Sequence, residues 1–412
     1  MKLLRYASLA LILLCVFGLQ AQSGERYAEP VFDNVLISSG IPFSSAYRVG
    51  ATSPTTLYLD FYEPSGDTLQ SRPLVITVFG GAFVAGSRDY VDMQTYCNRL
   101  AKHGYAAASI DYRLLPITSF NAASLIRDAY MASQDVSSAI RFFKAYCQEY
   151  RIDTNNIFLL GNSSGSIAIL NELFLGEDER PAETFNEPDL GGMHISGYDD
   201  YANFSPKVAG AIAQWGGVMD VEDIDSSEYV PLCMIHGTAD DVVFYDSGYC
   251  YSSYFSTLLP YLYGSHTIAT HLENLGIDNY ELHTFEGKDH CFYLTAYTIL
   301  LTDEFDTCFN ITRNFLYRNL SLSTPSSVPE ITHGSIRVFP NPAEAILYVE
   351  LSGAGIKSVG LYDLQGRVVE TRLIASLQRT TALNIRNVPA GVYVLRVTDE
   401  NGKEYHQKIV VK

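Results

Sequence analysis

The sequence predicts an α/β fold, with a mostly parallel sheet covered by helices on both faces, followed by a small all-β domain. Three observations carry this expectation. From about Val31 to Leu320, short apolar runs alternate with amphipathic stretches, the rhythm of buried parallel strands linked by helices. Residues 321–335 then bring repeated Ser, Thr and Pro without apolar periodicity, which reads as a linker. Residues 336–412 return to short alternating runs punctuated by turn residues, the pattern of a β-sandwich.

In chain order, the N-terminus comes first. Lys2 and Arg5 precede an apolar run from Ala7 to Gly18, and the small Ala21 closes it, so residues 1–21 read as an export signal. Residues 22–320 form the expected catalytic-sized domain. Strand candidates lie around Val35, at Leu57–Tyr62 and at Leu74–Phe79, followed by a helix over Tyr90–His103. A strand at Tyr105–Ile110, a long amphipathic helix over Ser124–Tyr150 and a strand at Ile157–Leu160 come next. A helix begins near Ser164. Further strands are expected at Val208–Gln214, Pro231–Ile235 and Tyr280–Phe285, and a final helix over Leu294–Arg318. Two stretches break the rhythm, Gly176–Ser205 and Asp246–His271. Both follow segments that end at the carboxyl edge of a parallel sheet, where ligands bind in open α/β folds, so both are candidate lids or substrate walls as well as plain insertions. In the C-terminal domain, strands are expected at 335–339, 345–351, 358–362, 367–371, 381–385, 392–397 and 406–411.

Bulk composition excludes several classes. Hydrophobic residues make up 47% and charged residues 18%, which fits neither wholesale disorder nor a bundle of membrane spans. The 46 acidic and 28 basic side chains give a formal net charge of −18, which repels phosphate backbones and argues against nucleic acid as a partner. Of the seven cysteines, Cys15 leaves with the signal. The six that stay permit disulfides in an exported chain, although Cys233, in an apolar strand, is expected to be a buried thiol.

The sharpest chemical signal is Gly161-Asn162-Ser163-Ser164-Gly165, placed between an apolar strand and a helix. A tight strand-to-helix turn of this type holds its serine at strained backbone angles with the oxygen exposed, and the glycines relieve the crowding. A serine hydroxyl is a weak nucleophile near neutral pH and needs a base with an acid behind it. In this arrangement the acid and then the histidine follow the serine along the chain. Ile235-His236-Gly237-Thr238-Ala239-Asp240-Asp241 offers the acid. Asp240 is the choice, with Asp241 and Asp220 as rivals, and His236 reads as a structural histidine. His290, after the last strand of the domain, offers the base, and the adjacent Asp289 reads as a turn residue. Phe79-Gly80-Gly81-Ala82-Phe83 ends another strand. Its small residues would let the amides of Gly81 and Ala82, together with that of Ser164, approach a developing oxyanion.

These segments resemble the α/β-hydrolase fold, and within it the hormone-sensitive-lipase-like carboxylesterases. FGGAFVAGS at Phe79–Ser87 is similar to their oxyanion segment, and Asp111-Tyr112-Arg113-Leu114 to their D-Y-R-L signature. IDTNNIFLLGNSSG at Ile152–Gly165 resembles their approach to the nucleophile, and His236–Val243 their acid-bearing H-G-x-x-D-x-x-V. The resemblance implies Ser163 as nucleophile, Asp240 as acid, His290 as base, Gly81, Ala82 and Ser164 as oxyanion donors, and no metal or organic cofactor. Phe79 departs from it, standing where the family has a histidine that braces the oxyanion loop.

Three C-terminal segments, VFPNPA at 338–343, VGLYDLQGR at 359–367 and PAGVYVLRV at 389–397, resemble the type IX secretion sorting domain. A carbohydrate-binding sandwich is the alternative for that domain. Together the resemblances imply a serine carboxylesterase exported through the periplasm of a Gram-negative bacterium, secreted or held at the cell surface. It would act on small-molecule or glycan esters, meet the secretion machinery through its C-terminal domain and have no stable membrane span. A serine exopeptidase of the same fold and an inactive hydrolase-like binding scaffold are the alternative readings.

Overall fold

The computed structural model describes residues 26–116, 120–186, 188–198, 201–225, 229–254, 259–295, 300–321, 336–339, 341–343, 345–351, 355–363, 367–378, 380–400 and 404–412. The expected export signal and all but the first residue of the expected linker lie outside them. The chain divides into two compact units between Ser321 and Leu322.

The first unit is built on an eight-stranded sheet in the order β1-β2-β4-β3-β5-β6-β8-β11. Its strands are β1 (Val35–Ala46), β2 (Thr55–Pro64), β3 (Arg72–Val78), β4 (Ala106–Ile110), β5 (Ile152–Asn162), β6 (Gly210–Gln214), β8 (Leu232–Gly237) and β11 (Tyr280–Phe285). β1 and β2, and β2 and β4, pair antiparallel; every pairing from β4 to β11 is parallel. This strand order with one antiparallel edge is the α/β-hydrolase architecture. β3, β4, β6 and β8 are buried at every residue, as expected where helices cover both faces of a parallel sheet.

Helices α1 (Val91–Lys102), α2 (Ala122–Ala145) and α3 (Ser164–Phe174) link the central strands. α2 starts where the sequence supplies a capping box. The Asn121 side chain accepts from Ser124 N and the Ser124 hydroxyl from Asn121 N, each at 3.1 Å. The expected helix over Ser124–Tyr150 is broken at Tyr146, and Cys147–Tyr150 forms a separate turn.

A further expectation needs correction. The last helix, α5, spans Asp303–Asn319 rather than starting at Leu294; Leu294–Thr295 (β12) pairs instead with Leu300–Leu301 (β13). Three acidic residues, Asp303, Glu304 and Asp306, occupy the first turn of α5, where the helix dipole favours them. The stretch 246–271 holds β9 (Ser247–Tyr249), β10 (Tyr261–Gly264) and the start of α4 (Ser265–Asn274), with β10 pairing to β7 (Gly217–Val218). The described residues of the stretch 176–205 form a strap over α2. Arg127 donates to the carbonyls of Glu183, Asn186 and Pro188, and Gln134 Nε2 to those of Leu190 (2.9 Å) and Gly192 (2.8 Å). These bonds satisfy carbonyls of the strap.

All six cysteines beyond the expected signal are free thiols, and Cys233 is fully buried in β8. No helix among the described residues is long and apolar enough to cross a membrane.

The second unit contains seven strands among its described residues: β14 (Ile336–Phe339), β15 (Ile346–Leu351), β16 (Ile356–Tyr362), β17 (Val368–Gln378), β18 (Thr380–Asn384), β19 (Gly391–Asp399) and β20 (Glu404–Val411). They form a β14-β15-β18 sheet and a β17-β16-β19-β20 sheet. Leu347, Val349, Leu361, Leu395, Val397 and Ile409 are among the side chains of their shared core. In β19 alternate residues from Tyr393 onward face inward, the period of two that the sequence displays.

Candidate active site

β5 delivers Ser163 at the carboxyl edge of the sheet and α3 begins at the next residue. Ser163 has φ 51° and ψ −122°, a left-handed conformation that costs a non-glycine residue on the order of 1–3 kcal/mol. The flanking glycines permit the turn. A Cβ at Gly161 would lie 2.5 Å from the Gly165 carbonyl oxygen, and one at Gly165 would lie 2.2 Å from that of Val78.

Ser163 Oγ lies 2.8 Å from His290 Nε2, and His290 Nδ1 lies 2.7 Å from Asp240 Oδ2. A carboxylate only accepts, so Nδ1 carries the proton toward Asp240 and Nε2 is left to accept from the serine. Asp240 is buried and saturated. Its Oδ1 accepts from the amides of Val242 and Val243, each at 2.9 Å, and its Oδ2 also receives His236 Nε2 at 3.2 Å. Burial would raise its pKa, but the hydrogen bonds from His236 and His290 outweigh that and hold it well below the usual carboxylate range. For His290, burial pushes the pKa down; the neighbouring Cys291 sulfur and the Asp240 carboxylate push it up, and the balance lies above the ordinary imidazole value.

The rival acids point elsewhere. Asp241 Oδ1 accepts from Tyr254 OH at 2.9 Å, and Asp220 Oδ1 from Glu222 N at 3.1 Å. Asp289 Oδ1 accepts from His290 N, a turn contact. His236 is fully buried, with Nε2 2.9 Å from the Val243 carbonyl and Nδ1 2.8 Å from Ser265 Oγ.

The Phe79–Phe83 segment forms a turn facing Ser163. Gly81 (φ 139°), Ala82 (φ 54°) and Phe83 (φ 62°) all take positive φ, and neither the Gly81 nor the Ala82 amide donates to a backbone carbonyl among the described residues. Ser164 is the first residue of α3, so helix geometry leaves its amide without an intrahelical acceptor. Phe79 braces this turn by packing. Its ring stacks on Tyr112 at 4.4 Å, and a Cβ at Gly86 would lie 2.4 Å from it, so the turn is folded down onto the ring. Tyr112 OH bonds the Phe79 carbonyl at 3.1 Å and lies 3.3 Å from Ser164 Oγ, tying the two walls together. Its neighbours anchor the same region. Asp111 binds Arg88 at 2.7 Å, and the buried Arg113 binds Asp135 at 2.9 Å.

An apolar pocket adjoins Ser163, Ser164 and Ala82. Phe83, Ile167, Met219 and Val243 line it together with Leu125, Ile126 and Ala129 of α2. Cys250, Tyr251, Pro260 and Leu262 also line it, so the 246–271 stretch contributes to its wall.

Away from this edge, Cys233, Glu281 and His283 bring a sulfur, an oxygen and a nitrogen within 4.8 Å of one another. His283 Nε2 already bonds Glu281 at 2.9 Å, and the Arg318 guanidinium binds the same carboxylate, placing a positive charge beside the position a cation would take.

The motifs do not mark a buried polar network beneath Ser163. Asn162 Nδ2 donates to Asp92 Oδ2 at 2.7 Å, Tyr293 OH to Gln214 Oε1 at 2.9 Å, and Gln214 Nε2 to Tyr96 OH at 2.8 Å. Ser163 N donates to the Gln214 carbonyl at 2.9 Å. Asp92 and Asn162 are 70 residues apart, and only folding brings them together.

Comparison with known proteins supports both units. Residues 59–229 match the family model described as BD-FAE, and residues 337–412 match that of the secretion system C-terminal sorting domain. An endo-acting ulvan lyase of Formosa agariphila is 34% identical over 85 residues, 20% of this chain and 16% of that protein. A probable isoprenylcysteine alpha-carbonyl methylesterase of Arabidopsis thaliana is 32% identical over 108 residues, 26% of this chain and 20% of that protein. The chain thus spans a fifth or less of these curated relatives. Among solved structures, butyrate-bound esterase 2 of Thermogutta terrifontis aligns with TM-score 0.47 and 18% identity, covering 73% of this chain and 99% of that one. With the hydrolase sheet order in one unit and a sorting-domain match in the other, the chain joins an esterase-like α/β-hydrolase domain to a type IX sorting domain that directs it to the cell surface or beyond.

Proposed function

We propose that this protein hydrolyses carboxylic esters through an acyl-enzyme on Ser163. The observation that carries the reading is the unbroken Ser163–His290–Asp240 hydrogen-bonded chain at the mouth of an apolar pocket. His290 Nε2 takes the hydroxyl proton as Ser163 Oγ attacks the ester carbonyl, and Asp240 stabilises the imidazolium. The amides of Gly81, Ala82 and Ser164 receive the oxyanion. Removal of one such donor typically costs about 10²–10³ in turnover. The carbon–oxygen bond to the alcohol then breaks, and the alcohol leaves with the proton held by His290. Water, deprotonated by the same imidazole, attacks the acyl-enzyme; the acid departs and the serine regains its proton.

The apolar pocket suits the acyl group of the ester, and the open mouth leaves the alcohol, small molecule or glycan, toward solvent. Purified protein should hydrolyse p-nitrophenyl esters, and Ser163→Ala should lose on the order of a thousandfold or more in kcat with its melting temperature retained. Wild-type-like turnover in that variant, or an inert wild type, would remove the proposal.

A further inference from the structure

Asp92 stands in the first turn of α1, 2% exposed. Burying a carboxylate is costly unless its lone pairs are satisfied or a cation compensates it. Its donors are neutral, Met93 N at 3.0 Å and Asn162 Nδ2 at 2.7 Å, and the Tyr293 hydroxyl, whose proton goes to Gln214, lies 3.3 Å away. Burial pushes its pKa up.

The chemistry of this pairing is directional. A carboxylate only accepts, so it selects the face of the Asn162 amide that carries Nδ2 and turns Oδ1 the other way. Oδ1 is buried without a hydrogen-bond partner and faces Gly80, where a Cβ would lie 2.9 Å from it. The Asn162 side chain therefore fills the space between the start of α1 and the turn that carries the oxyanion amides. One peptide bond separates it from the strained Ser163.

We propose that Asp92 is a positioning residue: its carboxylate orients the Asn162 amide, and through it holds Ser163 in register with the Gly80–Ala82 turn. The inference rests on the reading of Ser163 as the nucleophile. Asp92 does not touch substrate. Its effect falls on the transition state, where the serine oxygen and the oxyanion amides must meet the same carbonyl, and leaves the pocket that binds the acyl group intact.

A charge-swap cycle tests this on the full-length protein. Wild type, Asp92→Asn, Asn162→Asp and the double variant are compared for kcat and KM on p-nitrophenyl butyrate, rate of fluorophosphonate labelling and melting temperature. Asp92→Asn leaves the amide orientation unselected and should lower kcat and labelling rate on the order of 10- to 100-fold with KM within about twofold, the scale of a small misplacement at a reacting centre. Asn162→Asp sets two carboxylates face to face and should cost more. In the double variant the amide introduced on α1 donates to the carboxylate introduced at the end of β5, and kcat should recover to within a few-fold of wild type. A wild-type kcat in Asp92→Asn, or a double variant no better than the worse single one, overturns the proposal. A wild type that neither labels nor turns over removes the nucleophile reading itself, and the positioning role falls with it.

Discussion

Asp240 accepts four hydrogen bonds, two from amides and two from imidazoles, so its charge and its geometry are fixed together. Replacing it with Asn removes the charge that helps to hold His290 above its ordinary pKa. The imidazole must be neutral to accept the serine proton, so a raised pKa means that activity is lost as pH falls through that value. Asp240→Asn should therefore lower kcat by a factor on the order of 10⁴ and move the acid limb of its pH profile to lower pH. Asp241→Asn, whose side chain meets Tyr254, should do neither. Steady-state rates across pH on the three proteins check this, and an unmoved limb in Asp240→Asn would contradict it. Ser163, Asp240 and His290 are legible in the sequence because each follows an apolar run and the three occur in a fixed order. Asp92, Gln214 and Tyr293 carry no such mark: they lie on α1, the end of β6 and the segment after His290, and only packing selects them.

The turn after β3 is held in shape by an aromatic ring. Phe79 is 1% exposed, wedged between the Tyr112 ring and the Gly86 backbone, and its carbonyl accepts from Tyr112 OH. Phe79→Ala should destabilise the protein by about 3–5 kcal/mol, the usual cost of emptying a buried aromatic site, and should slow fluorophosphonate labelling as the oxyanion amides lose their support. Chemical denaturation and labelling kinetics measure the two effects; a variant as stable and as fast as wild type would show that the ring is not the brace. At this scale the parallel strands are legible because full burial makes them uniformly apolar. The helix boundaries are less so. α5 starts at Asp303, after a β-hairpin that an apolar run disguises, and α4 lies in a stretch whose tyrosines mask its short amphipathic face. The 176–205 strap is readable as irregular, but its place over α2 depends on Arg127 and Gln134 capturing its carbonyls.

At the scale of the whole molecule, every residue assigned a chemical role precedes Ser321, and the second unit has its own core. A fragment ending at Ser321 should keep the specificity constant of the full-length protein on small esters while failing to be exported. A large loss on every ester would place the second unit in the substrate site. The change of rhythm at the Ser/Thr/Pro segment makes this division legible from composition alone. The central claim concerns one oxygen atom and has one direct measurement, peptide mapping by mass spectrometry after reaction with a fluorophosphonate. The account predicts a single covalent adduct on the peptide bearing Ser163, absent from Ser163→Ala and greatly slowed in a His290→Ala variant; an unlabelled protein, or an adduct on another residue, would contradict it.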